Sequence, residues 1–325
     1  MSNAINEWKR INMFQTSETT QHYLKKCYHE LMVEDAETKS YENCYPYIYY
    51  LEQAESFYEQ AKNSPISIKP VLLFYGLIHL IKACILTVDP NYPNSTTVLA
   101  HGVSTRKRKK RHYRFIYDEI KVQKNGLCTH FSEQMFHVKH LEGEKYKMIE
   151  LLSLVVELHD TFMFIDGSSP VIPLIKEHSK WYIPSEIENC YHIGTSRLKS
   201  LLDEKSSSEI NWQPETNNQL LCFEIENKNI GPPFRHHIDN HLLYLPKNNT
   251  TTMILPDLLV HYLILYNLSM ISRYETEWWI DLIKTTPNAD YPYIKSFLEI
   301  TERKGPIMVT EYLFGKKFLH EGASG

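Results

Sequence analysis

Lys69-Pro70-Val71-Leu72-Leu73-Phe74-Tyr75-Gly76-Leu77-Ile78-His79-Leu80-Ile81-Lys82-Ala83-Cys84-Ile85-Leu86-Thr87 is the stretch on which the fold turns. From Val71 to Thr87 it is apolar nearly all round, so it predicts a helix in the centre of a core rather than on its surface. Pro70 suits the first helical position, where its missing N–H has no intrahelical partner to lose. His79 and Lys82 break the apolar run, which argues against a membrane span. His79 is expected to be a hydrogen-bonded core histidine, and Gly76 to mark a close helix crossing.

Working outward, Thr16 to Val33 reads as a helix entered from a capped turn. Ile48, Leu51, Ala54, Phe57, Tyr58 and Ala61 recur in threes and fours, which predicts an amphipathic helix over Tyr45 to Asn63, ended by Ser64-Pro65. On the other side, Asp89-Pro90-Asn91-Tyr92-Pro93-Asn94 is dense in turn formers. Alternation predicts short strands at Tyr113 to Tyr117 and Ile120 to Gln123, with a turn at Asn125-Gly126. Helical periodicity returns over Glu144 to Phe164 and stops at Asp166-Gly167.

Beyond Val171 prolines multiply and apolar runs shorten, which reads as a small β-containing insertion interrupted by one helix over Ser196 to Leu202. Pro256 then opens the strongest helix, Asp257 to Ser272, and two more are expected at Trp278 to Lys284 and Tyr291 to Glu302. The predicted fold is mainly α, a helical bundle core with a small β-containing insertion. Residues 1–170 would form an N-terminal helical part carrying a basic segment at 101–126. Residues 171–250 would form the insertion, and 251–325 would complete the same core.

The chain has 325 residues, 42% hydrophobic and 23% charged, with a formal net charge of −4. Attraction to anions is therefore expected to be local rather than global. Six cysteines lie tens of residues apart without a C-x-x-C pair, which fits reduced thiols. The N-terminus lacks the apolar core of an export signal, so a cytoplasmic protein without membrane attachment is expected. Nucleotide-hydrolysis, dinucleotide, serine-hydrolase and zincin signatures are all absent from the sequence.

Two segments carry candidate chemistry. His101 is followed shortly by Arg106-Lys107-Arg108-Lys109-Lys110-Arg111, six consecutive cations that must stay hydrated or meet anions. They read either as a solvated loop or as a docking surface for phosphate, nucleotide or an acidic protein patch. In Arg235-His236-His237-Ile238-Asp239-Asn240-His241, Arg235 precedes His241 by six positions. That spacing resembles the R-x(4–6)-H motif of HEPN ribonucleases, in which His acts on a 2′-hydroxyl proton and Arg stabilises phosphorane charge. Arg235, His236 and His241 are the alternative catalytic set. His237 and His241 lack a third ligand at matching spacing, so no metal or other cofactor is expected. Arg273, Trp278 and Trp279 are expected to serve structure at a helix end.

Tyr75 to Ala83, His101 to Lys110, Asp118 to Leu127 and Leu268 to Tyr274 together resemble the YaaC-like protein family of Gram-positive bacteria over about Thr16 to Phe318. The resemblance implies helical parts distantly similar to HEPN domains and no established activity. It also implies a link to guanine-nucleotide synthesis, because members tend to be encoded beside inosine-monophosphate dehydrogenase. The resulting expectation is a non-enzymatic regulatory or adaptor protein that binds a protein partner, such as that purine-nucleotide enzyme, through the basic surface. A metal-independent HEPN-like ribonuclease acting on RNA and a purine-nucleotide sensor are the alternatives.

Overall fold

A computed structural model describes residues 2–105, 113–213, 220–224 and 231–316. Helices α1 (Ser2–Ile11) and α2 (Ser17–Glu30) lead into α3 (Ala36–Asn63) and α4 (Lys69–Leu86). Thr16 caps α2 as expected, its hydroxyl accepting the Thr19 N–H at 3.3 Å. Helix α3 starts nine residues before the expected Tyr45 and runs through Pro46. Buried Ala36, Ser40 and Cys44 extend its core-facing stripe, which outweighs the single backbone bond that a proline removes.

Helix α4 is the central one, packed against α3 and against three later helices. It is long and apolar enough to cross a bilayer, yet 67% of that window is buried inside the fold. Gly76 is where α3 crosses it, since a Cβ there would lie 2.7 Å from the Tyr58 ring.

A three-stranded antiparallel sheet follows, β1 (Val103–Thr105), β2 (Glu119–Val122) and β3 (Lys145–Lys147), with α5 (Leu127–Phe136) between its last two strands. The strand expected at Tyr113 to Tyr117 is instead a 3-10 turn over Phe115–Tyr117. The Asp290 carboxylate takes the Phe115 N–H at 2.8 Å and the Arg114 guanidinium at 3.1 Å, so this backbone bonds outward to a helix and not to a ladder. The continuous helix expected over Glu144 to Phe164 is broken into β3, α6 (Met148–Leu152) and α7 (His159–Asp166). Tyr146 pairs with Ile120 in the sheet, and Glu150 accepts the Lys147 N–H at 3.0 Å, which starts a new helix there. Gly167 ends α7 in the left-handed conformation.

The insertion holds two small antiparallel sheets and two helices. Strand β4 (Val171–Pro173) belongs to one sheet; β5 (Ile175–Glu177) and β6 (Lys180–Tyr182) belong to the other. Helix α8 (Glu186–Tyr191) was not anticipated, whereas α9 (Thr195–Lys205) lies where a helix was expected. Strands β7 (Asn211–Trp212) and β8 (Cys222–Glu224) complete the second sheet, and β9 (Arg235–His236) and β10 (Leu243–Pro246) the first. Ile172, Trp181, Phe223 and Phe234 are among the residues of a core of its own.

The main core gathers residues from Ile11 to Phe162 and again from Leu255 to Leu313. Its last part is built by α10 (Asp257–Tyr274), α11 (Thr276–Thr285) and α12 (Asp290–Phe314). Helix α12 does not stop near Glu302 but passes through Gly305-Pro306. Gly305 admits the Tyr58 hydroxyl, 2.2 Å from where its Cβ would be, and buried Val309 and Leu313 continue the apolar face beyond the proline.

Candidate functional site

Arg235 lies in β9, where successive side chains leave opposite faces of the strand. Its guanidinium is 1% exposed, ion-paired with Asp257 and bonded to the Met253 carbonyl at 3.0 Å. Lys304, 2% exposed, joins the same network through Asp257 at 2.9 Å and Glu157 at 3.0 Å. Burial would lower the Lys304 ammonium, but the two carboxylates outweigh it and raise it. Burial would likewise raise Asp257, and Lys304 and Arg235 instead hold it well below the usual carboxylate range. Two buried cations therefore balance the buried Glu157 side chain and partly buried Asp257, joining the insertion to α10 and α12.

The histidines of the ribonuclease-like motif sit beside this network. His236 and His241 stack with centroids 5.8 Å apart. Burial, and then Lys304 and His241, lower His236. His237 Nδ1 accepts the Asp239 N–H at 3.1 Å, which makes it a turn cap. His236 opens onto a cleft of about 760 Å³ between the insertion and the main core, floored by Phe136, Phe234 and Met308. The structure brings His236 and His241 together, while the outer nitrogens of Arg235 are committed to Asp257 and the Met253 carbonyl and its buried Nε has no partner among the described residues.

Arg106 to Arg111 lie outside the described residues. His101, just before β1, does not, and it stands at the centre of a second cluster. The sequence kept its parts separate: Tyr75, His79 and Lys82 share one face of α4 by their spacing of four and three. His101 meets that face, its ring 5.1 Å from Phe74, 6.2 Å from Tyr75 and 5.6 Å from Tyr266 of α10. Arg273, in the last turn of α10, reaches the Tyr75 hydroxyl at 3.5 Å.

The backbone holds His101 in place. Its carbonyl accepts the Tyr262 hydroxyl at 2.8 Å and the Cys128 N–H at 3.2 Å. Ala100 accepts the Leu127 N–H at 2.7 Å, so the start of α5 clamps both residues. Gly102 and Gly126 make that approach possible, both at positive φ and in direct backbone contact.

Electrostatically the cluster is cationic. Burial and then Arg273 and Lys82 lower His101, and burial and then Lys82 push His79 down to about 4. Lys82 is itself lowered by burial and lies 5.5 Å above the Tyr50 ring. Neither Lys82 nor Arg273 forms an ion pair among the described residues. The Nδ1 atom of His79 is buried and has no hydrogen-bond partner there, which corrects the expectation of a satisfied core histidine. Tyr50 and Phe57 of α3 pack on its ring at 5.9 and 5.7 Å. Arg273 does cap its helix as expected, Nε donating to the Ser269 carbonyl at 3.1 Å, but one of its outer nitrogens reaches Tyr75 of this cluster while the other meets the Met270 sulfur of its own helix.

Among known proteins, a family model described as "YaaC-like Protein" matches residues 12–313. No curated protein and no solved structure matches the chain.

Proposed function

We propose, from the premise that this chain belongs to the YaaC-like protein family, that it is a non-enzymatic regulatory protein that binds an anionic surface of a partner protein. The observation that carries this reading is the pair Lys82 and Arg273, two partly buried cations that both act on His101 and form no ion pair among the described residues. Leaving such charges unmatched costs stability, and an anionic partner removes that cost. Arg106 to Arg111 follow β1 within a few residues, so the chain continues from this cluster into six further cations. Clustered cations of this kind speed encounter with an acidic surface and make it salt-dependent. The partner is a purine-nucleotide enzyme such as inosine-monophosphate dehydrogenase, as the neighbourhood of family members suggests.

Binding of the purified enzyme to the full chain, measured by interferometry, tests the reading. The Arg106→Glu, Arg108→Glu, Arg111→Glu triple variant should bind about tenfold or more weakly, and salt should weaken the wild type. Unchanged affinity of the triple variant, or no binding of the enzyme to the wild type, overturns it.

A further inference from the structure

We propose that Lys82, His101 and Arg273, with His79 behind them, form a site for the phosphate group of a small phosphomonoester. This deepens the reading of the face as an anion-recognition surface and rests on it, but not on the identity of any protein partner.

Three observations converge on it. The cationic donors are present but poorly used: Arg273 spends one outer nitrogen on the Tyr75 hydroxyl at 3.5 Å and the other on the Met270 sulfur at 3.2 Å. A phenol at that distance and a thioether are weak acceptors, whereas phosphate oxygens match the guanidinium fork bidentately. His79 Nδ1 adds a buried polar atom without a hydrogen-bond partner among the described residues. The frame, finally, is rigid. His101 is fixed by Tyr262 and Cys128 through its carbonyl, and its ring is walled by Phe74 and Tyr266. A site whose donors are placed in advance loses little on ordering, which is what selective capture of a small anion requires.

The same groups specify how the site responds to protons. His101 faces Tyr75 and Lys82 from α4 and Tyr266 and Arg273 from α10. His79 faces Tyr50 from α3 and Lys82 on its own helix. Both imidazoles are held toward their neutral forms by burial and by the neighbouring cations. A dianion between them offsets that repulsion and favours the imidazolium, so binding takes up protons.

Calorimetry on the full chain at pH 7 tests the site with inorganic phosphate, ribose 5-phosphate, a purine nucleoside 5′-monophosphate and the corresponding nucleoside. The expected result is saturable binding of at least one ester, about tenfold or more tighter than free phosphate, with the nucleoside silent. Repeating the titration in buffers of different ionisation enthalpy should show net proton uptake. Arg273→Gln and Lys82→Met should each weaken the ester by about tenfold or more. Arg273→Lys, which keeps the charge but loses the fork, should fall between. Equal binding of nucleoside and monophosphate, binding of free phosphate as tight as any ester, absence of proton uptake, or silence of all four probes overturns the proposal. Should Arg273→Gln or Lys82→Met fail to fold, the wild-type probe series and proton count still decide it. Ester binding that survives the Arg106, Arg108 and Arg111 reversal stands whichever way the partner experiment falls.

Discussion

Gly126 and Gly102 touch so closely that a Cβ on Gly126 would lie 2.3 Å from the Gly102 Cα. The contact is between two backbones, so no side-chain rotation can relieve it. Through it the start of α5 holds the Ala100–His101 carbonyls, and hence the imidazole of the candidate anion site.

Gly126→Ala is therefore expected to destabilise the fold by about 3 kcal/mol or more, because it adds a clash to a backbone at φ +134°. Urea unfolding monitored by tryptophan fluorescence reads this directly. Gly143→Ala supplies the comparison: its φ is also positive, but nothing lies within 4 Å of the added Cβ, so its cost should be clearly smaller.

Lys304→Met leaves Glu157 buried without its cation and Asp257 with Arg235 alone. Removing one partner of a buried ionic network costs about 3–5 kcal/mol. Since the network spans the insertion and the main core, chemical denaturation should also become less cooperative. A two-state transition with an unchanged midpoint would contradict the structural role assigned here to Arg235, Asp257 and Lys304.

Acid should destabilise the protein well above the range in which carboxylates titrate. His261 is 1% exposed, and burial followed by Lys304 pushes it down to about 3 from 6.5. The unfolded chain therefore binds this proton first as pH falls. The stability linked to neutral His261 is complete above pH 6.5 and declines toward pH 3, by at most about 1.4 kcal/mol per unit. His79 acts in the same direction down to about 4. Lys304 does not share this window, because its raised value matters only on the alkaline side. Urea midpoints at pH 7.5, 6 and 5 should fall in that order, with a shallower fall in His261→Gln.

Thiol labelling of the native protein should proceed in distinct phases. Cys27 is pushed up to about 11 chiefly by burial, and burial raises Cys84 and Cys128 as well, so these thiols are both shielded and protonated. Cys190 is the partly exposed one among the six free cysteines. Cys190→Ser should remove the fast phase of reaction with a disulfide reagent and leave the slow phases in place.

Much of the fold was legible because it follows from local pattern. The all-round apolar run at Val71 to Thr87, the cap at Thr16, the breaks at Ser64-Pro65 and Gly167 and the opening of α10 after Pro256 are decisions made within one or two turns of chain. Where the local pattern misled, a distant partner had intervened. Asp290 drew Phe115 out of an expected strand, Ile120 drew Tyr146 out of an expected helix, and the Tyr58 hydroxyl filled the space that Gly305 leaves, letting α12 run on.

The sequence by itself thus determined a mainly helical protein with a central apolar helix, a β-containing insertion and a local concentration of positive charge. Tertiary structure alone decided which charges are matched. Arg235 looked available beside three histidines, yet packing delivers Asp257 to it; Arg273 looked like a helix cap, yet packing carries it to Tyr75 and His101. The physical reason is that charge neutralisation in a folded chain is set by spatial neighbours tens to hundreds of positions away, and periodicity along the chain carries no record of them.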